Sequence, residues 1–316
     1  MPKLGQWLYQ QEQAWRTLKI ADAYPACREL AATVLDCQPS TLPALLDHEL
    51  TASELDWLTD AAARHTDGEP IGRILKQIRL FDRTWNIADQ SLIPRADSYP
   101  LILMAKRALE QSPTTEKLIE LGTGCGWLLI QLLVELETNN LNELRLIGGS
   151  DLEPIVLETA EQNAKRHLAP TVADSLQWRA GNLIEPWPEL RSASPTFSKA
   201  LLPTLILANL PYLSQSQYDT LEPSVKKHEP AEALVGGLTG NEIYLQLIEE
   251  LLKLPTPVDL ILETNSSNRP GLIQAIQQSI SAPTLIVEHT TEPSSQTECI
   301  WLRFNYSKAS SVSLIS

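Results

Sequence analysis

The stretch Glu-Leu-Gly-Thr-Gly-Cys-Gly at residues 120–126 is a candidate ligand-binding turn. It follows an apolar run and leads into a stretch of helical character. Glycines there allow the backbone to turn tightly and a ligand to approach closely, because no Cβ stands in the way. Trp127 occupies the position where the dinucleotide fingerprint G-x-G-x-x-G has its third glycine. The spacing predicts either an ordinary strand-to-helix turn or a site for a ligand other than a dinucleotide.

Three further polar residues, Asp151, Asn182 and Asn209, each follow a predicted strand. Open sheets with helices on both faces bind their ligands at the carboxyl ends of the strands. Asp151 comes about 30 residues after the glycines, where a carboxylate binds ribose hydroxyls in doubly wound nucleotide folds. The same residue could instead cap the next helix. Together with the glycines, Asp151 favours a nucleoside-type ligand.

The segment Asn209-Leu210-Pro211-Tyr212 could hold a planar amino group. Asn-x-Pro is common turn chemistry, so the segment could also be a plain loop after a buried strand. The alternative is chemical: the Asn209 carbonyl and a backbone carbonyl would accept the two hydrogens of an NH2 group while Tyr212 packs on its face.

The elements before residue 77 are predicted to be helical. Ala, Leu, Glu and Gln dominate there, and Thr51-Ala52-Ser53-Glu54 matches the capping box that begins a helix. Leu55, Leu58 and Ala62 would then share one face. Three tryptophans, Trp7, Trp15 and Trp57, are expected to pack in the core of this part, with partner contact as the alternative. Between Ile78 and Ile93 the residues Phe81, Trp85 and Ile87 alternate with polar ones, which indicates a hairpin.

From residue 117 onward, short apolar runs alternate with helical stretches. This order predicts an α/β fold with a mostly parallel sheet covered by helices on both faces. The final two runs have no helix between them and predict an antiparallel hairpin at the sheet edge. The predicted strands are 118–121, 144–148, 176–179, 204–208, 258–263, 284–289 and 298–304, and the predicted helices between them are 127–136, 153–167 and 243–253.

Composition limits the class of protein. The chain has 316 residues, of which 43% are hydrophobic and 20% charged, as in folded globular proteins. Lys plus Arg number 25 and Asp plus Glu 39, so the net charge is −14. This charge disfavours a large nucleic-acid footprint, because such affinity rests on many phosphate contacts. No leader sequence and no run of about 18 apolar residues is found, so we expect a cytoplasmic protein without a membrane segment.

The cysteine and histidine spacings predict neither a metal site nor a disulfide framework. The residues concerned are Cys27, Cys37, Cys125 and Cys299, and His228 with four other histidines.

Taken together, these motifs resemble class I S-adenosylmethionine-dependent methyltransferases, and more closely the HemK/PrmC family of protein-glutamine N(5)-methyltransferases that modify peptide chain release factors. Residues 120–126 resemble the family's D/E-L-G-T-G-S-G loop, and residues 209–213 resemble its N-P-P-Y-I. Residues 68–75 and 92–95 are similar to its G-E-P-x-x-Y-I-L-G and L-I-P-R-P-x-T-E linker. Residues 221–244 follow its L-x-P-E-V-x-x-x-E-P-x-x-A-L-x-G-G-x-D-G-x-x-x-Y stretch in order and spacing.

The resemblance implies a Rossmann-like class I methyltransferase sheet with a small all-α N-terminal domain. The implied organisation is a helical substrate-recognition domain over 1–76, a β-hairpin linker over 77–95, a methyltransferase domain over 96–306 and a flexible tail over 307–316. The implied cofactor is S-adenosylmethionine, and the implied reaction is methyl transfer to the side-chain amide of a glutamine in the Gly-Gly-Gln loop of a release factor.

The resemblance also assigns site residues. Asp151 would bind the ribose hydroxyls, the loop from Gly122 to Gly126 the methionine end, and Asn182 the adenine. The implied catalytic residues are Asn209, Leu210, Pro211 and Tyr212. The implied cofactor contacts are Glu120, Gly122, Thr123, Gly124, Gly126, Asp151, Leu152, Asn182, Leu183 and Asn209. The implied substrate contacts are Pro94, Arg95, Asn209 and Tyr212.

Departures from the family pattern leave alternatives open. Leu210 replaces the first proline and gives N-L-P-Y, a form more typical of ribosomal-RNA adenine N(6) dimethyltransferases. Asn182 stands where the family usually has aspartate. Ala96 replaces the second proline of P-R-P-x-T, and Tyr99-Pro100 replaces the usual acidic continuation after that motif. The alternatives are an adenine N(6) methyltransferase acting on rRNA or DNA, and a catalytically degenerate paralogue that binds S-adenosylmethionine.

Overall fold

The computed structural model describes residues 1–136, 143–191, 203–279, 287–291 and 297–304. The chain divides into two compact units. The first consists of Met1–Ile78 together with Glu222–His228, and the second contains the remaining residues. The return of residues 222–228 to the first unit has no signal in the sequence pattern. The predicted tail over 307–316 lies outside the described residues.

The first unit is helical, as predicted. Its helices are α1 Leu4–Thr17, α2 Ala23–Val34, α3 Ala52–Thr66 and α4 Ile71–Leu75. The predicted capping box begins α3: Thr51 Oγ1 accepts from the Glu54 N–H at 3.2 Å, and Glu54 Oε2 accepts from the Thr51 N–H at 2.7 Å. Leu58 and Ala62 are buried and Leu55 packs against them.

The tryptophans of the first unit differ in burial. Trp7 and Trp15 lie in its hydrophobic core, as expected. Trp57 is 36% exposed, so core packing was the wrong expectation for this residue. It lies one residue before Leu58 on α3, and residues adjacent in sequence point about 100° apart around a helix.

The hairpin consists of β1 Gln77–Leu80 and β2 Arg83–Asn86 and is shorter than the predicted 78–93 span. Phe81 and Asp82 have φ angles of +51° and +58°, so they form the turn. Two consecutive positive φ angles are typical of the tight type I′ hairpin turn. The alternation pattern predicted the hairpin but did not locate its turn at Phe81. Its ring stacks on Tyr99, with 4.5 Å between ring centroids.

The second unit contains the predicted mostly parallel sheet. Its strands have the order β10-β11-β9-β6-β3-β4-β5, where β10 and β11 are antiparallel and the others parallel. β4 begins two residues later than predicted and extends to Asp151, and residues 284–286 of the predicted last hairpin lie outside the described residues. The strands are β3 Lys117–Leu121, β4 Leu146–Asp151, β5 Gln177–Ala180, β6 Thr204–Ala208, β9 Val258–Asn265, β10 Val287–Thr291 and β11 Thr297–Phe304.

Helices and a small second sheet complete the unit. The helices are α5 Tyr99–Gln111, α6 Trp127–Glu135, α7 Pro154–His167, α8 Pro170–Ala173, α9 Gln215–Asp219, α11 Glu242–Leu251 and α12 Arg269–Ser279, with α10 Pro223–His228 belonging to the first unit. The short strands β7 Leu213–Ser214 and β8 Val235–Gly237 pair with each other.

Helices cover both faces of the large sheet. Alternate residues of a strand point to opposite faces, so one strand packs against helices on both sides. Ile119 and Leu121 pack in one core cluster with residues of α11 and α12. Glu120 lies between them in sequence and bonds to the start of α6 on the other face. Among the described residues, no helix has the length and apolarity to cross a membrane. All four cysteines are free thiols.

Candidate active site

The predicted site segments meet because their strands are neighbours in the sheet. In the parallel register, Leu121 at the end of β3 pairs with Ser150 on one side and with Ala208 on the other. The glycine loop after β3, Asp151 at the end of β4 and Asn209 after β6 therefore leave the sheet at the same edge. This is the edge where such sheets bind ligands.

Three residues of the loop after β3 need positive φ angles. Gly122, Gly124 and Gly126 have φ angles of +66°, +51° and +79°. Side chains with a Cβ adopt this region at a cost, which explains the alternate glycines. The loop is fixed to its neighbours by the Thr123 N–H, which donates to the Ser150 carbonyl at 2.9 Å. The backbone of this turn is exposed at Gly122 and partly exposed at Gly124, whereas Gly126 is buried.

Asp151 joins this turn to the end of β4. Its Oδ2 accepts from the Gly124 N–H at 2.9 Å, and its Oδ1 accepts from the Glu153 N–H at 3.1 Å. Burial raises the pKa of Asp151, and the bonds from these backbone N–H groups oppose that shift. Helix α7 has Glu153 as its N-cap, so Asp151 lies before the helix and is not its cap.

Apolar surface lies next to Asp151. The Leu152 side chain is 64% exposed and Ile155 is also exposed. Such side chains could pack on the flat face of a base. Asn182, after β5, is exposed, and its backbone carbonyl accepts from the Glu185 N–H at 2.9 Å. Leu183 has a φ of +44°, and its side chain is buried in the core cluster.

The Glu120 carboxyl is hydrogen-bonded to the glycine loop and to the start of α6. Its Oε2 accepts from the Thr123 hydroxyl at 2.5 Å and from the Leu129 N–H at 3.3 Å. The side chain is buried, and this burial raises the pKa of Glu120 to about 8. The carboxyl therefore ties the turn to the first turn of α6. Its assignment as a cofactor contact stays a prediction.

The segment after β6 packs directly on the glycine turn. A Cβ at Gly122 would lie 2.7 Å from Leu210 Cδ2, so Leu210 packs closely on this glycine and would have to shift to admit any other residue. The Leu210 N–H donates to the Tyr244 hydroxyl at 3.1 Å, and that hydroxyl donates to the Glu263 carbonyl at 2.6 Å. Tyr244 on α11 is fully buried. It holds the segment at its backbone.

The side chains at the two ends of this segment also have partners. Asn209 Nδ2 donates to Ser98 Oγ at 3.0 Å. The Tyr212 hydroxyl donates to Glu263 Oε1 at 3.0 Å. Burial raises the pKa of Tyr212, and the neighbouring Glu263 carboxyl adds to the shift. The Tyr212 carbonyl accepts from Asn268 Nδ2.

Glu263, near the end of β9, is a buried carboxyl beside these residues. Burial raises its pKa to about 7, while Ser98, Tyr212 and the charge of Arg95 oppose that shift. Arg95 is exposed and the preceding Pro94 is buried, so of this predicted substrate-binding pair Arg95 reaches the surface.

Ser98, Tyr244 and Glu263 were not predicted as site residues from the sequence. A feature of the sequence could have pointed to each of them. Ser98 stands where the family's P-R-P-x-T linker has threonine, and Tyr244 ends the flanking pattern. Glu263 is an acidic residue at the carboxyl end of a parallel strand, as Asp151 is.

The chain is similar in sequence to proteins of known family. Residues 6–75 match the family described as PrmC N-terminal domain. A release factor glutamine methyltransferase of Bacillus anthracis is 30% identical over 205 residues, which cover 64% of this chain and 65% of that protein. The release factor glutamine methyltransferase of Nitratidesulfovibrio vulgaris is 29% identical and covers 74% of each chain. That of Bradyrhizobium diazoefficiens is 26% identical over 277 residues, 86% of this chain and 84% of that protein.

The chain spans 65% of the length of the Bacillus anthracis and Bacillus cereus proteins it matches. Among solved structures, the hMettl16 catalytic domain in complex with the MAT2A 3′UTR hairpin 1 is similar, with a TM-score of 0.51 and 14% identity over 84% of each chain. At this identity the likeness concerns the fold alone. It confirms the predicted class I methyltransferase architecture.

Proposed function

We propose that this chain, a member of the HemK/PrmC family by its matches to release factor glutamine methyltransferases, methylates the side-chain amide nitrogen of a protein glutamine with S-adenosylmethionine as methyl donor. One observation carries the proposal: Leu210 packs on Gly122, so the Asn209–Tyr212 segment lies against the glycine turn. An amide held by this segment is next to whatever the turn binds.

The residues at the strand ends fit S-adenosylmethionine. Asp151 places a carboxylate beside the turn, suited to ribose hydroxyls. The exposed Leu152 beside it offers an apolar surface for adenine, and the carbonyl of the Asn182 side chain can accept from the adenine amino group. The glycine turn leaves room for the methionine end at Gly124, where the nearest atom to an added Cβ would be 3.7 Å away. When bound, the cofactor supplies an electrophilic methyl group on a sulfonium.

The chain must overcome the weak nucleophilicity of an amide. The nitrogen lone pair of glutamine is delocalised into its carbonyl, so the nitrogen reacts only when held in line with the methyl group. Orientation of this kind can contribute up to ~7–11 kcal/mol to lowering a barrier. Asn209 Oδ1 and the Leu210 carbonyl are the acceptors that would hold the two amide hydrogens, and Pro211 and Tyr212 would shape the slot.

The same acceptors also stabilise the transition state. Positive charge develops on the amide nitrogen during transfer, which strengthens its hydrogen bonds to the two oxygens. Tyr244 fixes the backbone of Leu210 from behind, so the carbonyl need not reorganise. Proton loss after transfer would go to water.

The proposed substrate is a peptide chain release factor, with the glutamine of its Gly-Gly-Gln loop as the acceptor. The names of the relatives support this choice. The helical unit that includes the PrmC N-terminal domain match over 6–75 would recognise the protein substrate. Translation termination takes place in the cytoplasm, where we expect the protein to act.

The test is transfer of labelled methyl from S-adenosylmethionine to a purified release factor. We expect label on the unaltered factor and none on a factor whose loop glutamine is changed to alanine. Equal labelling of both factors would place the methyl group elsewhere. Cofactor binding without transfer to either factor would indicate the degenerate paralogue.

A second candidate is an adenine N(6) methyltransferase acting on rRNA or DNA. Leu210 in N-L-P-Y favours it, because a planar NH2 group is common to adenine and glutamine. The net charge of −14 counts against it. Methylation of rRNA that weakens steeply with salt concentration would support this candidate.

A further inference from the structure

The Asn209 side chain can lie in two orientations, and only one suits the proposed reaction. An asparagine amide has an acceptor end, Oδ1, and a donor end, Nδ2, of nearly the same shape. Holding the NH2 group of a substrate needs Oδ1 in the slot. In the structure Nδ2 donates to Ser98 Oγ at 3.0 Å, which leaves Oδ1 as the other end.

The Ser98 hydroxyl decides which end of the amide it accepts. A hydroxyl has one proton to donate and lone pairs that accept. If Ser98 gives its proton to another acceptor, only its lone pairs remain for Asn209, and these can bind only Nδ2. Ser98 is buried at the N-terminus of α5, so water does not compete freely for its proton.

The Glu263 carboxyl is the acceptor available to that proton. Oε1 of Glu263 accepts from the Tyr212 hydroxyl, whereas Oε2 is buried and completes no hydrogen bond with the described residues. Ser98 lies near enough for its hydroxyl to lower the pKa of this carboxyl. A buried ionised carboxylate is a stronger acceptor than a neutral amide oxygen. The free oxygen of the Glu263 carboxyl is therefore a suitable acceptor for the Ser98 proton.

We propose that Glu263 and Ser98 are positioning residues that orient the Asn209 amide, with ionised Glu263 drawing the Ser98 proton and Ser98 receiving Asn209 Nδ2. The inference rests on the proposed function for its catalytic meaning. Protonated Glu263 can itself donate to Ser98. Ser98 is then free to donate to Asn209 Oδ1, which turns Nδ2 into the slot against the substrate NH2.

The carboxyl has other polar neighbours that bear on its ionisation. Arg95 favours the ionised form, and Asp97 disfavours it. Tyr212 donates to the carboxyl. Tyr244 on α11 and Cys299 on β11 face it as neutral groups whose own pKa values are raised by burial and by Glu263. Arg95 is the one cation among these neighbours in the described part of the chain.

The decisive experiment observes the Asn209 amide directly. In the full chain with ¹⁵N-labelled asparagine amides, the Asn209 NH2 signal is identified by its loss in Asn209→Ala. We expect this signal to shift with pH, with a midpoint near the Glu263 pKa of about 7. The shift should be lost in Glu263→Gln, and the signal should move at every pH in Ser98→Ala. A signal that ignores both substitutions overturns the proposal, whether or not any methyl transfer is found.

Kinetics supplies the second readout. Ser98→Ala should lower kcat roughly 10- to 100-fold, as small losses of alignment do, with cofactor affinity retained. Ser98→Thr keeps the hydroxyl and should rescue most of the activity. Ser112→Ala is the matched control: Ser112 is a buried serine at the other end of α5, where it binds Arg303.

The pH profile separates the inference from the proposed function. In the unaltered protein kcat should fall as pH drops below about 7, and Glu263→Gln should be slow and lack that step. Glu116→Gln, at a buried carboxyl paired with Arg145 near the start of β3, should keep the profile. An active protein whose Glu263→Gln variant keeps both rate and profile refutes the positioning role. An inactive unaltered protein with the expected amide signals refutes only the proposed function.

Discussion

Asp151 Oδ2 accepts a hydrogen bond from the Gly124 N–H at 2.9 Å, so the carboxylate at the end of β4 also fixes the glycine turn after β3. The residue proposed to bind ribose hydroxyls is thus a structural part of the loop proposed to hold the rest of the cofactor. Its Oδ1 is likewise engaged, by the Glu153 N–H. The carboxylate is pre-oriented by backbone groups before any ligand arrives.

Asp151→Ala should weaken S-adenosylmethionine binding roughly 10- to 100-fold, because hydrogen bonds to charged groups contribute about 1.5–3 kcal/mol. Asp151→Asn keeps one acceptor oxygen, so its affinity for the cofactor should lie between those of the unaltered protein and Asp151→Ala. Calorimetric titration of the full chain measures both. Asp174→Ala, at an exposed acid, is the control. Equal affinities for all four proteins would remove Asp151 from the cofactor site.

Asn209→Ala should keep cofactor affinity and lose turnover, because the side chain is proposed to bind the reacting amide. A kcat lower by roughly 100-fold is expected when one stabilising oxygen is lost at the reacting centre. Single-turnover methyl transfer at saturating cofactor gives the rate, and titration gives the affinity. An unchanged kcat in this variant would rule out the proposed amide slot.

Tyr244→Phe should destabilise the fold and slow transfer together. The hydroxyl satisfies the buried Leu210 N–H and donates to the Glu263 carbonyl. Its loss leaves the Leu210 N–H without this partner, at a cost of about 1–3 kcal/mol in the free energy of unfolding. Urea unfolding measures this change, with Tyr218→Phe, at a partly exposed tyrosine on α9, as the control. Equal losses in the two variants would deny Tyr244 a special role.

The strands of the sheet could be predicted because each is a short apolar run bounded by polar or turn-forming residues. Residues 204–208 coincide with β6, and the lack of a helix before residue 298 predicted the antiparallel end. The position of the turn at Phe81–Asp82 was not predicted, because neither of its two residues with a positive φ angle is a glycine.

The segments that form the site could be predicted from the sequence, but the residues that hydrogen-bond to these segments could not. Asp151 and Asn209 follow strands, which places them at one edge once the strands are parallel neighbours. Their supports come from far along the chain: Ser98 precedes Asn209 by 111 residues, and Glu263 follows Tyr212 by 51. Such pairings depend on three-dimensional packing that no local spacing encodes.

Gly122→Ala should be more destabilising than Gly124→Ala. Both glycines have positive φ angles, so either substitution strains the backbone. At Gly122 the new Cβ would also lie 2.7 Å from Leu210, whereas at Gly124 the nearest atom is 3.7 Å away, on Ser91. Urea unfolding without cofactor measures the difference. Equal destabilisation would show that Leu210 can move away from the turn.

Glu120→Gln should change how stability depends on pH. The folded-state pKa of Glu120 is about 8, raised by burial above the ordinary value of 4.5. Between these values the folded protein holds a proton that the unfolded chain has released, so this residue makes stability fall as pH rises from 4.5 to 8 and level off above 8. The glutamine oxygen can still accept from Thr123 or Leu129.

Thermal unfolding at pH 5 and pH 8 measures this dependence. The loss of stability between the two pH values should be smaller in Glu120→Gln than in the unaltered protein, with Glu116→Gln as the control. Glu263 titrates in the same direction in all three proteins and cancels from the comparison. Parallel losses in all three would mean that Glu120 is ionised in the folded protein at neutral pH, despite its burial.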